Sequence, residues 1–379
     1  MFVEKLSLVA FRNLKNETLT FSPGVNLFLG DNGQGKSNIL ESLHLLFHDK
    51  SFRPSVTNNF IHRDFNQASV RSILHQRKLK YFFELQISAH RKKLQVNEKP
   101  MSFSKLAPGF STILFSPESL SVIKDSSEQR RDLLDELLIT LDANHRKILE
   151  QFSKTLRTRN KVLKDFAESN AASKQLLDIL HSLHPSYMDI STELTTARLK
   201  AIETIREDFR KSMNAISKIE KDVRIEYFIS DQVVNDMSHQ EIRFLLEKRA
   251  KELHSAELAR GSSLVGPHKH DVKFLYDGND SRFFSSQGQQ RALILSFKMA
   301  QIVYHRRAYQ EAPLLLLDDV LSELDPNKRE ALLAFLNEVD SQIFMTTTDL
   351  NFSKPWTKAP MKIMHVCNGK VNEEYEERG

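Results

Sequence analysis

Short apolar runs and long apolar stripes divide the 379 residues into stretches of different texture. Near the N-terminus, Val25–Leu29 is a compact, largely apolar run that enters a glycine-rich turn, and beyond the turn Ile39, Leu40, Leu43, Leu46 and Phe47 recur at the spacing of one helix face. A run this short, bounded by turn residues, predicts a buried strand, and the period that follows predicts a helix packed on it. The C-terminal third repeats the pattern. Leu293, Ile294, Phe297 and Ala300 predict a helix, Leu314-Leu315-Leu316-Leu317 a strand ending in Asp318 and Asp319, and Ile343-Phe344-Met345 a strand running into Thr346-Thr347-Thr348-Asp349. Acids at the end of a buried parallel strand stand where doubly wound sheets bind ligands.

The middle of the chain is helical in period. Leu134, Leu138, Leu141, Ile148, Phe152, Leu156, Leu163 and Phe166 form one stripe, and Ile190, Leu194, Ala197, Ala201, Ile205, Phe209 and Ile216 form a second. Pro185 is expected to punctuate between them, because its ring and missing N–H interrupt a helix interior. Val223–Ile229 predicts a short strand, and 240–260 a further helix. The stripes fit the core faces of a mainly helical domain inserted into an α/β fold. The expected organisation is a head built from residues 1–125 and 261–379, interrupted by a helical arm at 126–260.

Composition adds limits. Hydrophobic content of 40% and charged content of 27% are those of a globular protein, and no apolar run reaches the length of a membrane span. Met1-Phe2-Val3-Glu4-Lys5 carries charge where a secretory leader has its apolar segment, and the lone Cys367 excludes an internal disulfide. A cytoplasmic protein with no membrane attachment is expected. The net charge of +5 is compatible with nucleic acid without demanding it. Arg146, Lys147, Lys154, Arg157, Arg159, Lys161 and Lys164 outnumber Glu150 and Asp165 along one stretch, and 77–80 and 90–93 add shorter basic clusters. Such clusters suit sequence-independent phosphate contact, although a solvated helix face is an equal reading of any one of them.

The candidate chemistry lies in the turn after Leu29. Gly30-Asp31-Asn32-Gly33-Gln34-Gly35-Lys36-Ser37 is an uninterrupted G-x-x-x-x-G-K-S between a predicted strand and a predicted helix, the context this phosphate loop requires. Its glycines let backbone N–H groups close on phosphates at a helix N-terminus. Lys36 is expected to neutralise phosphate oxygens and Ser37 to place a hydroxyl on Mg²⁺, with a nucleoside triphosphate as the ligand. Asp318 is the expected Mg²⁺ partner, and Asp319 the group that orients or deprotonates water. Ser286 and Gln289 form an S-x-x-Q capping pattern, so Ser286 is expected at a helix tip that offers a second anion site.

The phosphate loop, the S-x-G-Q of Ser286, Gly288 and Gln289, the paired acids, and Ser322-Glu323-Leu324-Asp325 together resemble the ABC-type ATPase heads shared by SMC and RecF proteins. Within that group the chain is most similar to the RecF family. The landmarks are Leu6-Ser7-Leu8-Val9-Ala10-Phe11-Arg12-Asn13, Phe21-Ser22-Pro23-Gly24, Phe115-Ser116-Pro117-Glu118, Arg130-Arg131-Asp132 and Gly266-Pro267-His268-Lys269-His270-Asp271. The helical insert is too short for an SMC coiled coil. The resemblance implies ATP and Mg²⁺ as ligands, with Arg12 and Asn13 near the nucleotide. It also implies an ATP-dependent homodimer in which the Ser286 signature caps the γ-phosphate of the partner copy. Asp319 replaces the usual glutamate, and Thr347 or Thr348 stands where many ABC proteins place a histidine, so weak, DNA-stimulated hydrolysis is expected. Implied partners are single-stranded or gapped duplex DNA and RecO- and RecR-like mediators that load a RecA-type recombinase in repair and replication. The alternative is the nucleotide-binding subunit of an ABC transporter.

Overall fold

The computed structural model describes residues 1–379 except 54, 108, 143, 170–173, 219, 350–355, 357–359 and 375–379. The chain forms two compact units, one of Met1–Ser121, Lys211–Glu220 and Gln287–Gly379, the other of Val122–Arg210 and Lys221–Ser286.

The first unit is built on a six-stranded sheet in the order Lys370–Glu374, Met361–Cys367, Val25–Leu29, Ile343–Thr347, Leu314–Asp318, Thr112–Phe115. All pairings are parallel except that of the edge strand Lys370–Glu374. Val25–Leu29, Leu314–Asp318 and Ile343–Thr347 are buried along their whole length, which is why they read as continuous runs and not as alternations. Leu29 pairs with Thr347 and Asp318 with Thr346, so the strand that enters the phosphate loop and the strand that ends in paired acids finish at one edge of the sheet. A second, antiparallel six-stranded sheet runs Leu14–Thr20, Phe2–Phe11, Gln67–Gln76, Leu79–Ser88, Arg91–Val96, Lys99–Met101. Its inward positions (Leu6, Leu8, Val70, Leu85) share one core with Phe28 and Phe344 of the parallel sheet and with Ile39, Leu40 and Leu43 of the helix Lys36–Leu45. Phe21 meets Phe344 edge-on, with ring centroids 4.9 Å apart.

The second unit contains the helices Ser127–Leu141, His145–Glu168 and His239–Arg260, the long helix Lys174–Ser217 up to Arg210, and a four-stranded antiparallel sheet. Capping boxes start two of the helices, Ser126 with Gln129 and Ser238 with Glu241. The strand at Val223–Ile229 lies where its apolar run predicts it. The expected return to the head at residue 261 is displaced to 287. Asp271–Tyr276 pairs in full antiparallel register with Val223–Ile229, which draws 261–286 into the second unit. Pro185 departs from expectation too: it lies inside the helix Lys174–Ser217 instead of ending one. Buried Tyr187, Met188, Ile190 and Leu194 follow it closely, and their packing offsets the loss of one backbone bond.

Candidate nucleotide site

Gly30 leaves the sheet edge and opens the loop. A Cβ there would stand 2.3 Å from the Val366 carbonyl oxygen, and one on Gly35, where φ is +115°, would stand 2.7 Å from Asn13 Oδ1. Neither position has room for a side chain, so glycine sets how closely the loop wraps. Asp31, Asn32 and Gly33 form its exposed crest, Gln34 and Ser37 are half-buried, and Lys36 is buried. Gly35 precedes the helix Lys36–Leu45 without a side-chain cap, which leaves first-turn N–H groups and the positive dipole end at the loop. Lys36 Nζ donates to the carbonyls of Gly30 (2.6 Å) and Asp31 (2.8 Å). Burial lowers its pKa, opposed by the charges of Asp319, Asp318 and Asp31.

The loop is braced from distant parts of the chain. The Gln34 carbonyl accepts from Asn13 Nδ2 (3.0 Å) and from the Gly369 N–H (3.0 Å), while Gln34 Oε1 accepts from the Asn368 N–H (2.6 Å). Asn38 Nδ2 donates to Asn13 Oδ1 (2.8 Å), and Arg53 Nη1 donates to Asn38 Oδ1 (3.1 Å). Arg53 Nη2 continues to Asp318 Oδ2 (3.2 Å), closing a polar chain from Asn13 to the acid pair. Arg12 is held beside it by a bidentate bond to buried Glu41 (2.7 and 2.8 Å) and lies 4.9 Å over the Phe60 ring. Arg12, Asn13, Asn38, Arg53, Ile61 and His62 line a cavity of about 420 Å³.

Thr346 organises the acids. Its hydroxyl donates to Asp318 Oδ1 (2.8 Å) and accepts from the Asp319 N–H (2.9 Å). Thr346, one residue before the expected pair, is therefore the threonine bonded to the acids, whereas the Thr347 hydroxyl accepts from the Asp349 N–H (3.1 Å). Asp319 has φ +49°, a left-handed conformation that costs a non-glycine residue about 1–2 kcal/mol. Burial raises its pKa, and the charges of Asp318 and Glu323 add to the rise against Ser322 and Lys36. Burial thus displaces the lysine and the aspartate in opposite directions, both toward neutrality.

The signature residues lie at a junction. The helix Gln287–Tyr309 begins directly after Ser286, with Gly288 and Gln289 in the first unit and Ser286 in the second. Arg291, one turn into this helix, grips Glu323 through its side chain (2.6 Å) and its carbonyl. The Ser322 hydroxyl donates to the Asp319 carbonyl (2.7 Å), and Asp325 caps the helix Pro326–Glu338 through the Lys328 N–H (3.0 Å). Residues 319–325 are thus fixed between the acid pair and the signature helix.

Sequence reasoning missed Arg53, Asn38 and Thr346. Asn38, adjacent to Ser37, and Thr346, adjacent to Thr347, lie close enough to a motif to have been noticed, whereas Arg53 does not. The basic stretch needs one correction. Arg159 is buried and pairs with Glu257 (2.6 Å) and the Ser263 hydroxyl (2.5 Å), so it supports the second unit and offers nothing to a ligand. Lys147, Lys154, Arg157, Lys161 and Lys164 on the same helix are exposed. Two other landmarks meet inside the second unit, where Arg130 binds Asp271 bidentately and Arg131 donates to the His270 carbonyl (2.5 Å).

The family profile of the RecF/RecN/SMC N terminal domain matches residues 2–372. The chain is 32% identical to the DNA replication and repair protein RecF of Heliobacterium modesticaldum, covering 99% of this chain and 100% of that protein. It is 33% identical to the protein of the same name from Ligilactobacillus salivarius, with 99% and 98% covered. Among solved structures, one described as the recombination mediator protein RecF-ATP in the RecFOR pathway superposes with a TM-score of 0.87 at 30% identity, over 99% of this chain and 98% of that one. An Smc head bound to a winged-helix domain of ScpA shares the fold at TM-score 0.56 and 17% identity, over 100% and 99% of the two chains. With its phosphate loop and acid pair on one edge of an ABC-type α/β head, and with relatives matched end to end, the chain belongs to the RecF family.

Proposed function

We propose that the chain binds ATP with Mg²⁺ on loop 30–37, dimerises through its heads around two nucleotides, and holds single-stranded or gapped duplex DNA during recombinational repair and replication. The observation that carries this reading is the convergence of Gly30, Lys36, Asp318 and Asp319 on one sheet edge, from strands far apart in sequence. The loop N–H groups and Lys36 bind phosphate oxygens, with Lys36 exchanging its carbonyl partners for them. The Ser37 hydroxyl and the Asp318 carboxylate, aligned by Thr346 and Arg53, are the hard oxygen donors that suit Mg²⁺. When bound, Mg²⁺ held by these two groups would supply neutralisation of charge on the phosphates. Asp319 orients a water and accepts its proton, a task that a raised pKa favours. Its side chain is shorter than the usual glutamate, so turnover is slow. Ser286, Gly288 and Gln289 cap the γ-phosphate from the partner copy, and Arg12 and Asn13 border the nucleotide.

Exposed Lys147, Lys154, Arg157, Lys161 and Lys164 supply DNA contact through phosphates. RecO- and RecR-like mediators are the expected partners at gaps, and the cytoplasm is the place of action. The transporter alternative is not favoured, because the relatives matched over the full length are DNA replication and repair proteins. The test is retention on gapped duplex DNA and dimerisation, each with and without ATP. Wild-type protein should show both only with ATP. Lys36→Met should show neither, because losing a phosphate-paired charge costs about 2–5 kcal/mol. Equal DNA retention by wild type and Lys36→Met, with or without ATP, refutes the reading.

A further inference from the structure

The segment leading into the signature carries two phenylalanines that the fold leaves in water. Phe283 is 74% exposed and Phe284 73%, side by side on the single-turn helix Ser281–Phe284. Ser286 and Gln287, just beyond them, are exposed as well. An isolated apolar residue on a surface needs no explanation, but adjacent aromatic rings beside an exposed motif form a patch that association can bury.

The turn that bears the rings is anchored. Asp280 accepts from the Arg282 N–H (3.0 Å) and caps the turn. The Arg282 side chain binds Asp280 (2.6 Å) and Asp271 (3.0 Å), and its guanidinium lies 5.1 Å from the centre of the Phe283 ring. Asp271 is held in turn by Arg130, which is 3% exposed and also donates to the carbonyls of Asp125 (2.5 Å) and Ile123 (3.2 Å). This charged lattice fixes the backbone beneath the rings, so docking them sacrifices little conformational freedom.

We infer that Phe283 and Phe284 are an apolar contact of the nucleotide-bound dimer, seated on a second copy of this chain. The inference rests on the head dimer proposed above. Ser286 follows Phe284 by two positions, a reach of roughly 7 Å, so where the signature tip meets the partner copy the rings meet it too. A two-fold dimer presents the pair twice, and aromatic anchors of this kind supply much of the energy of an interface. Stacking on nucleic acid bases is the competing use of such rings. In the lattice beneath, Arg130 and Arg282 are matched by Asp271 and Asp280, which also draws on the charge of Lys273, so these cations are engaged within the fold.

The experiment measures dimerisation of the full-length chain by sedimentation velocity with a non-hydrolysable ATP analogue. The Phe283→Ser/Phe284→Ser variant should bind nucleotide as a monomer within about twofold of wild type, while its dimer dissociation constant rises roughly thirtyfold or more. Phe283→Leu/Phe284→Leu, which keeps apolar area, should stay within roughly fivefold of wild type. An unchanged dimer constant in the serine variant overturns the inference while leaving the dimer intact. Loss of DNA retention with normal dimerisation also overturns it and assigns the rings to nucleic acid. Wild-type protein that stays monomeric with the nucleotide removes the dimer itself, and the inference with it.

Discussion

Arginine–aspartate pairs occur in both units, and their settings differ. In the second unit Arg198 donates to both carboxylate oxygens of Asp135 (2.9 and 2.7 Å), to the Tyr227 hydroxyl (3.0 Å) and to the Pro267 carbonyl (3.1 Å), all of them buried. Burial pushes the Asp135 carboxyl up, but the Arg198 charge and the bonds from His145 and Arg198 outweigh it, and its pKa falls to about 2. In the first unit Arg53 meets Asp318 through one 3.2 Å bond and remains partly exposed, and the neighbouring Asp319 has its pKa raised. The charges of Arg198 and Asp135 are matched and consumed by each other and by their neighbours. At the nucleotide site, charge is held with its requirements only partly met, as a ligand-binding site demands. An arginine–aspartate pair read from sequence therefore says little until its burial is known.

Removing one partner from each pair should separate the two roles. Arg198→Met leaves Asp135 buried without its counter-charge and should lower stability by about 3–5 kcal/mol, measured by urea unfolding. A change below about 1 kcal/mol would show that the cluster is not a matched core pair. Arg53→Ala removes a half-exposed partner, so unfolding should shift by less than about 1 kcal/mol. ATP turnover should nevertheless fall about tenfold, because Asp318 loses a charged hydrogen bond that sets its orientation. Normal turnover with reduced stability would reverse the assignment and make Arg53 a structural residue.

Much of the fold is legible where structure is local. The buried strands Val25–Leu29 and Leu314–Asp318 are short apolar runs, and the phosphate loop between strand and helix is an unbroken octet. The site becomes illegible where contacts span the chain. Nothing near Arg53 in sequence announces Asp318, and the brace from Asn368 and Gly369 onto Gln34 joins residues far apart in the chain. Arg159 shows the same limit in reverse. In sequence it is one of a row of basic residues, but its position on the helix turns it toward Glu257, which is 1% exposed. Pro185 fails as a helix boundary because tertiary packing overrides a local penalty of about 3 kcal/mol.

In the proposed dimer each ATP is enclosed by the loop of one copy and the signature of the other. Mixing two inactive proteins tests it most directly. Ser286→Arg should bind ATP as a monomer but neither dimerise with itself nor hydrolyse, since a bulky cation replaces the hydroxyl at the helix tip. Lys36→Met should lack nucleotide binding altogether. A heterodimer of the two still contains one intact Lys36 facing one intact Ser286, so a single complete site can form. Partial recovery of ATPase activity in the mixture, where each protein alone has none, is the predicted result. No recovery in demonstrated heterodimers would contradict shared sites.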